Sequence, residues 1–237
     1  HRGVQVANES FANKDASSNA ALLFSAVNYL LYAKGYNLSV LMPYHKGLTS
    51  LSDWYCQLWA ESLGKEKNLN NEKIELGTQP IRAVGPQDQH SMLQLFIEGK
   101  RDKLFTFVRV NEFASKLDIG KPVEHLGALD YLSGKSFEML INAEQSCTEM
   151  ALTRQGRPVL RVDLAKLDAE NLAALMQTLM LSTAVCGHLF NINPFDQPGV
   201  ELGKQFTYGL MEKPGFEDKK EEVKNFFQGS STHVFPL

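Results

Sequence analysis

What the chain lacks narrows its chemistry first. Its three cysteines, Cys56, Cys147 and Cys186, stand far apart, form no CxxC pair and leave an odd number. That pattern argues against a disulfide framework or a thiolate zinc site and reads as reduced, buried thiols of a cytoplasmic chain. The six histidines show no HxxxH or HExxH spacing, so no histidine metal site is expected. Basic charge is not in surplus: Lys+Arg number 24 against 27 Asp+Glu, a formal net charge of −3. The densest basic run, Lys100-Arg101-Asp102-Lys103, is short and mixed, which excludes a broad surface for nucleic acid or anionic membrane. The most apolar runs, 20–33 and 179–190, are interrupted by Ser25, Asn28 or His188 and fall short of the roughly 18 apolar residues a membrane span requires. GxGxxG, GxxxxGK[ST] and GxSxG are all missing, which leaves dinucleotide, P-loop and nucleophile-elbow chemistry without support. There is no fixed-period repeat and no low-complexity tract. His1-Arg2-Gly3 carries neither an initiator methionine nor a signal-peptide pattern, so the expectation is a processed product or a fragment.

What is present is a globular chain. Of its 237 residues 43% are apolar, enough for one large or two modest domains with a buried core. Ser17-Ser18-Asn19, then a helical stretch over 20–34 and Gly35, read as a capped helix with a glycine stop. A short strand over 38–42 is ended by Pro43, and Ser50 or Ser52 opens a helix with Leu51, Trp54, Tyr55, Leu58 and Trp59 at helical spacing. Residues 65–77 read as a polar loop. Strands over 81–84, 104–110 and 159–162 then alternate with helices near 88–99, 128–153 and 169–187. The strands are apolar runs, not in-out alternations. A mostly parallel α/β sheet, covered on both faces in three α/β/α layers with right-handed crossovers, is therefore expected. The mixed charges of 214–224 read as the solvated face of a further helix.

Four places could carry chemistry. In 193–204, Pro198 suits a first helical turn with Asp196 as N-cap. Gln197, Glu201 and Lys204 would then fall within about 40° of one line, a polar stripe that ordinary amphipathic helices also show. Lys204 supplies a compact cation that Glu201 can hold, although a plain surface salt bridge has the same pattern. Glu61 follows Trp54 by seven and Leu58 by three, on the apolar side of its helix and in the last turn before Gly64. Desolvation and the negative helix end would both favour its neutral form, giving an acid tuned to move a proton near neutral pH. The bland alternative is a glutamate snorkelling to the helix edge. Gln57 lies one i to i+4 step earlier, beside that carboxylate or merely on the rim of a packed patch. His90 is expected in the first turn of a helix announced by Gly85-Pro86 and Asp88, where the positive dipole end leaves a neutral ring. A core or capping histidine is its default reading. His45 and His125 look like loop residues, His188 ends a buried helix, and His1 and His233 belong to the chain ends.

The string Phe195-Asp196-Gln197-Pro198-Gly199-Val200-Glu201-Leu202-Gly203-Lys204 resembles the C-terminal signature of the glucose-6-phosphate isomerase family: FDQ, any residue, GVE, two residues, then K. Residues 55–65, from Tyr55-Cys56-Gln57 to Glu61-Ser62-Leu63-Gly64-Lys65, resemble that family's base segment. Gly85-Pro86-Gln87-Asp88-Gln89-His90-Ser91 resembles its Gln-His segment, and the three occur in the family's order. The likeness runs from near the start to about Phe227 and corresponds to the family's second half. It implies a C-terminal sugar-isomerase (SIS) domain with its helices over 1–227, a tail over 228–237, and an N-terminal half that is absent.

The resemblance further implies interconversion of glucose 6-phosphate and fructose 6-phosphate through an enediol, with no cofactor and no metal, by a cytoplasmic homodimer acting on a phosphorylated hexose. By position, Glu61 resembles the base moving the proton between C1 and C2. His90 resembles the ring-opening residue, contributed by the neighbouring subunit, and Lys204 its assistant. Gln57 and Gln197 resemble substrate-binding amides. The family's Ser/Thr-rich phosphate loop and enediolate-stabilising arginine have no match here, so the chain alone is expected to be nearly inactive. Pro198, Ala60, Leu63 and the short loop before His90 depart from the commonest pattern and suggest a bacterial subgroup. A non-catalytic SIS module that binds a phosphosugar for regulation, or an assembly domain retaining only the dimer surface, are the competing expectations.

Overall fold

The computed structural model describes residues 1–121 and 127–229. His125 and His233 lie outside the described residues, as does the tail from residue 230. The described chain divides into two compact units, His1–Phe195 and Asp196–Leu237, each taken by itself below.

The first unit is built on a four-stranded parallel sheet of β1 (Leu38–Pro43), β4 (Gln79–Arg82), β5 (Lys103–Glu112) and β6 (Val159–Lys166), in the order β4-β1-β5-β6. Alternate strand residues feed two separate cores. Leu41, Val108, Val110 and Leu164 face one layer, α2 (Ala20–Tyr32), α3 (Thr49–Leu63) and α6 (Ala169–Leu189), where they meet Phe24, Tyr55, Trp59, Leu63, Leu179 and Cys186. Val40, Met42, Phe105 and Phe107 face the other, α4 (Leu93–Glu98) and α5 (Phe137–Arg154), where they meet Phe96 and Leu152. This is the expected α/β class in three layers, and burial on both sides is why its strands read as apolar runs. Fully burying one such Leu or Phe contributes roughly 1.5–3 kcal/mol. β6 forms one edge, where Arg161 pairs with both Asp163 and Glu149, and Lys166 pairs with Asp168.

Asn19 caps α2 as expected, its side chain accepting from the Leu22 N–H at 3.1 Å, and Gly35 ends the segment at a positive φ of 86°. Elsewhere the structure corrects the sequence reading. The polar loop of 65–77 is a hairpin, β2 (Lys65–Lys67) paired antiparallel with β3 (Lys73–Leu76). Its strands are too short and charged to signal themselves; the Asn68 side chain holds the turn by accepting from Asn70 and Glu72 N–H groups, while Ile74 and Leu76 pack on the first core. α3 opens at Thr49 with no side-chain cap, so neither Ser50 nor Ser52 starts it, and Ser52 is buried within it. The stretch 128–153 is split into a 3-10 turn and α5, because Gly134 turns the chain at φ 73° and Ser136 caps a fresh helix.

A helix not anticipated, α1 (Arg2–Phe11), packs on α6, with Gly3 so close that a Cβ there would stand 2.1 Å from the Glu170 carbonyl oxygen. α6 is 21 residues long and apolar enough, by length and composition alone, to cross a membrane, which a count starting at Leu179 conceals. In the fold its buried residues Leu175, Leu179 and Cys186 complete the first core.

The second unit holds a 3-10 turn, Pro198–Val200, followed by α7 (Glu201–Leu210) and α8 (Glu217–Gly229). Asp196 is not an N-cap: the turn is flanked by Gln197, with φ −141° and no side-chain cap bond. A 3-10 turn advances about 120° per residue, so the straight helical stripe expected from Gln197 to Lys204 is interrupted at its first member.

Candidate active site

α3 carries two of the candidate residues because its apolar positions recur at four-residue steps. Leu51, Tyr55, Trp59 and Leu63 form the buried face, which leaves Gln57 and Glu61 on the outer side. The Gln57 amide Nε2 donates to Glu61 Oε1 at 3.3 Å. Glu61 is exposed, so the desolvation expected from its spacing to Trp54 and Leu58 is not supplied by this chain: those two are half-buried flanking residues, not the core face. The helix end beside it is fixed. The Gly64 N–H bonds the Ala60 carbonyl at 3.0 Å, and the buried Lys65 ammonium bonds the Glu61 carbonyl at 2.9 Å, answering the negative helix terminus. A hollow of about 300 Å³ opens here, lined by Ala60 of α3, by Gly64 just past it and by residues entering β1 and β4, among them Asn37 and Thr78.

His90 does not lie in a first helical turn. A 3-10 turn, Gln87–Gln89, precedes it and α4 begins only at Leu93, so the dipole reason for a neutral ring is lost. The Asp88 carboxylate draws the chain into this tighter turn, accepting from the Val84 N–H and the Ser91 hydroxyl, each at 2.7 Å. The loop bearing His90 is nonetheless closely held. Gln89 Nε2 donates to the Tyr44 hydroxyl at 2.6 Å and to Thr148 Oγ1 at 3.0 Å. Tyr44 is fully buried, and desolvation pushes its phenol pKa up, so it stays a neutral hydrogen-bonding group. Gly85 lies flat on the Tyr44 ring; a Cβ at 85 would stand 2.4 Å from ring carbons. His90 itself is exposed.

Glu61 and His90 belong to opposite ends of the sheet. Asp53, early in α3, pairs with Arg82 at the C-terminal end of β4 at 2.6 Å. Gly64, just past the other end of α3, lies against Gly77, ahead of β4. α3 therefore runs antiparallel to the strands, and the eight residues from Asp53 to Glu61 carry the carboxylate about 12 Å away from the end where β4 leads into the His90 loop. One chain does not bring these two together.

In the second unit the Lys204 ammonium pairs with Glu201 Oε1 at 2.7 Å, both side chains half-exposed, and Gln197 precedes the 3-10 turn. A larger hollow of about 390 Å³ in this unit, lined by Phe206, Leu210, Val223 and Phe227, is apolar and contains neither Gln197 nor Lys204. The smaller hollow opens at the end of α3 that carries Glu61, although Glu61 is not among the residues lining it. Among the described residues no three His, Cys, Asp or Glu side chains are grouped to hold a metal ion. Sequence reasoning missed Gln89, Tyr44 and Thr148. Gln89 stands inside the Gln-His segment, but its partners lie 45 and 59 positions away and no local spacing announces them.

Residues 1–234 match the phosphoglucose isomerase family. A glucose-6-phosphate isomerase of Rubrobacter xylanophilus is 43% identical over 204 residues, covering 86% of this chain and 45% of that protein. The crystal structure of a hypothetical protein from Thermus thermophilus superposes with a TM-score of 0.83 at 36% identity, covering 88% of this chain and 49% of that one. A glucose-6-phosphate isomerase from Chlamydia trachomatis shares the fold, with a TM-score of 0.76 at 20% identity over 97% of this chain and 45% of its own. The chain thus spans about half the length of the curated relatives it matches. With its family match running almost end to end, the chain belongs to the phosphoglucose isomerase family.

Proposed function

We propose that this chain is the C-terminal part of a cytoplasmic aldose–ketose isomerase that interconverts glucose 6-phosphate and fructose 6-phosphate, and that a complete site needs two copies of the full-length protein. Glu61 takes the C2 proton while the C1 carbonyl oxygen gains one, giving the enediol, and then returns a proton to C1 as the C2 hydroxyl loses its own, so no net proton is consumed. His90 of a second subunit gives a proton to the ring oxygen as its bond to the anomeric carbon breaks and the anomeric hydroxyl gives up its proton to become the carbonyl, and Lys204 assists at the ring oxygen. Gln57 and Gln197 bind the phosphorylated hexose through amides that do not ionise. The N-terminal half would add the phosphate loop and the arginine that steadies the enediolate, and without such donors several powers of ten in rate are forfeited.

The observation that carries this reading is the placement of Glu61 and His90 at opposite ends of one sheet, each exposed. A residue pair that acts on one sugar yet stands apart in one chain is explained by exchange between chains. Complementation tests it. Full-length Glu61→Gln and His90→Ala variants, each inactive, are mixed, dissociated and reassociated. Shared sites regain about a quarter of wild-type activity, since random pairing makes half the dimers mixed and each mixed dimer has one intact site. No recovery, with mixed dimers demonstrated, overturns the proposal. The solvent exposure of Glu61 favours one competing reading, a regulatory module that binds a phosphosugar without turnover; it requires Glu61→Gln to be harmless.

A further inference from the structure

We infer that Gln89 is a positioning residue for His90, acting through a buried clamp that ties the His90 loop to two other elements. This rests on the ring-opening role proposed above for His90. The Gln89 amide spends both of its hydrogens inside the fold, one on Tyr44 at the end of β1 and one on Thr148 in the middle of α5. Both hydroxyl residues are buried, Tyr44 with no exposure and Thr148 at 5%. A bifurcated anchor of this kind fixes the direction of the backbone at the next residue, and that residue is His90.

The other side of the loop is closed independently. Asp88 accepts from Val84 and Ser91, bracketing His90 in sequence, and Gly85 is pressed on the same Tyr44 ring that Gln89 bonds. Asp88, Gln89 and Ser91 each turn a side chain inward or along the loop, and His90 among them is presented to solvent. An exposed imidazole on an unsupported loop would sample many orientations. One on this clamp has its backbone set in advance, which matters for a proton donor because misplacement of about 1 Å can lower a rate a hundredfold. The amide suits the task better than a carboxylate, since it donates to two hydroxyls and brings no charge beside the imidazole.

The test uses the full-length enzyme and separates ring opening from the rest. Gln89→Met keeps the volume and removes both bonds. Exchange spectroscopy on fructose 6-phosphate gives the rate of anomer interconversion, and calorimetry gives the affinity of an open-chain phosphorylated sugar acid. Anomer interconversion is expected to fall about tenfold while the inhibitor binds within about twofold of wild type. Tyr44→Phe and Thr148→Val each remove one bond and are expected to cause smaller falls in the same rate; they also serve if Gln89→Met does not fold. Equal losses in inhibitor affinity and ring opening, or no change in ring opening in any of the three variants while His90→Ala abolishes it, overturn the inference. If His90→Ala itself leaves ring opening intact, the fault lies with the proposed function and the clamp has nothing to position.

Discussion

The two ends of the parallel sheet are finished to different degrees. Where the strands end, the His90 loop is fixed by Asp88, by the Gln89 amide on two buried hydroxyls and by Gly85 against Tyr44. Where they begin, Glu61 stands in solvent with one neutral amide beside it, and a hollow lined by Ala60 and Gly64 opens at the same end of its helix. The first end delivers a side chain outward; the second offers a carboxylate that has yet to be enclosed. On the proposed reading Glu61 is a proton-transfer base, which gains from exclusion of water, so the acid end would be the receiving surface and the histidine end the donated one.

The largest effect should come from the receiving end. Glu61→Gln in the full-length enzyme is expected to lower exchange of the C2 proton with solvent by about a thousandfold or more, as loss of a general base does, with sugar-phosphate affinity nearly unchanged. Normal exchange would erase the distinction between the ends. At the other end Gly85→Ala should destabilise the fold by about 1–3 kcal/mol in urea melts, because the added methyl enters the Tyr44 ring. An unchanged midpoint would mean that the His90 loop is looser than its contacts indicate.

A smaller effect is expected in the pH dependence of stability. His45, just past β1, accepts the Gly47 N–H on Nδ1 at 3.0 Å, and partial burial lowers its pKa below the ordinary 6.5. The unfolded chain therefore binds this proton more readily, and stability should decline as pH falls from 6.5 toward the lowered folded value. His45→Asn keeps an acceptor but cannot titrate, so its urea midpoint should drop less than the wild-type midpoint between about pH 7.5 and pH 5.5. Parallel drops would remove His45 from the account. The smallest effect lies outside both ends: Glu201→Gln breaks a half-exposed pair with Lys204 and should change stability by no more than about 1 kcal/mol. A larger loss would show that the pair supports more than its own helix.

Much of this is legible in the sequence. The α/β layering follows from apolar strand runs, and the Gln57–Glu61 contact follows from a four-residue step, because both depend on local periodicity. The misreadings share a cause. Spacing puts Glu61 on the apolar side because Trp54 and Leu58 are large, but burial is decided by the sheet, which takes Tyr55 and Trp59 instead. The helix start at His90 and the stripe from Gln197 both fail at 3-10 turns, whose composition resembles a helical first turn. The hairpin of 65–76 is invisible because its charges outnumber its apolar residues until Ile74 and Leu76 find the core. The Gln89 clamp needs three distant segments, and nothing short of the fold assembles them.

The edge strand β6 sets a limit on how copies of this chain can meet. A bare strand edge invites another strand to continue the ladder, but Arg161, Asp163 and Lys166 hold this one in a web of opposite charges. Adding a neighbouring backbone there would strip water from those groups. Growth of the sheet into an extended ribbon through this edge is thereby discouraged.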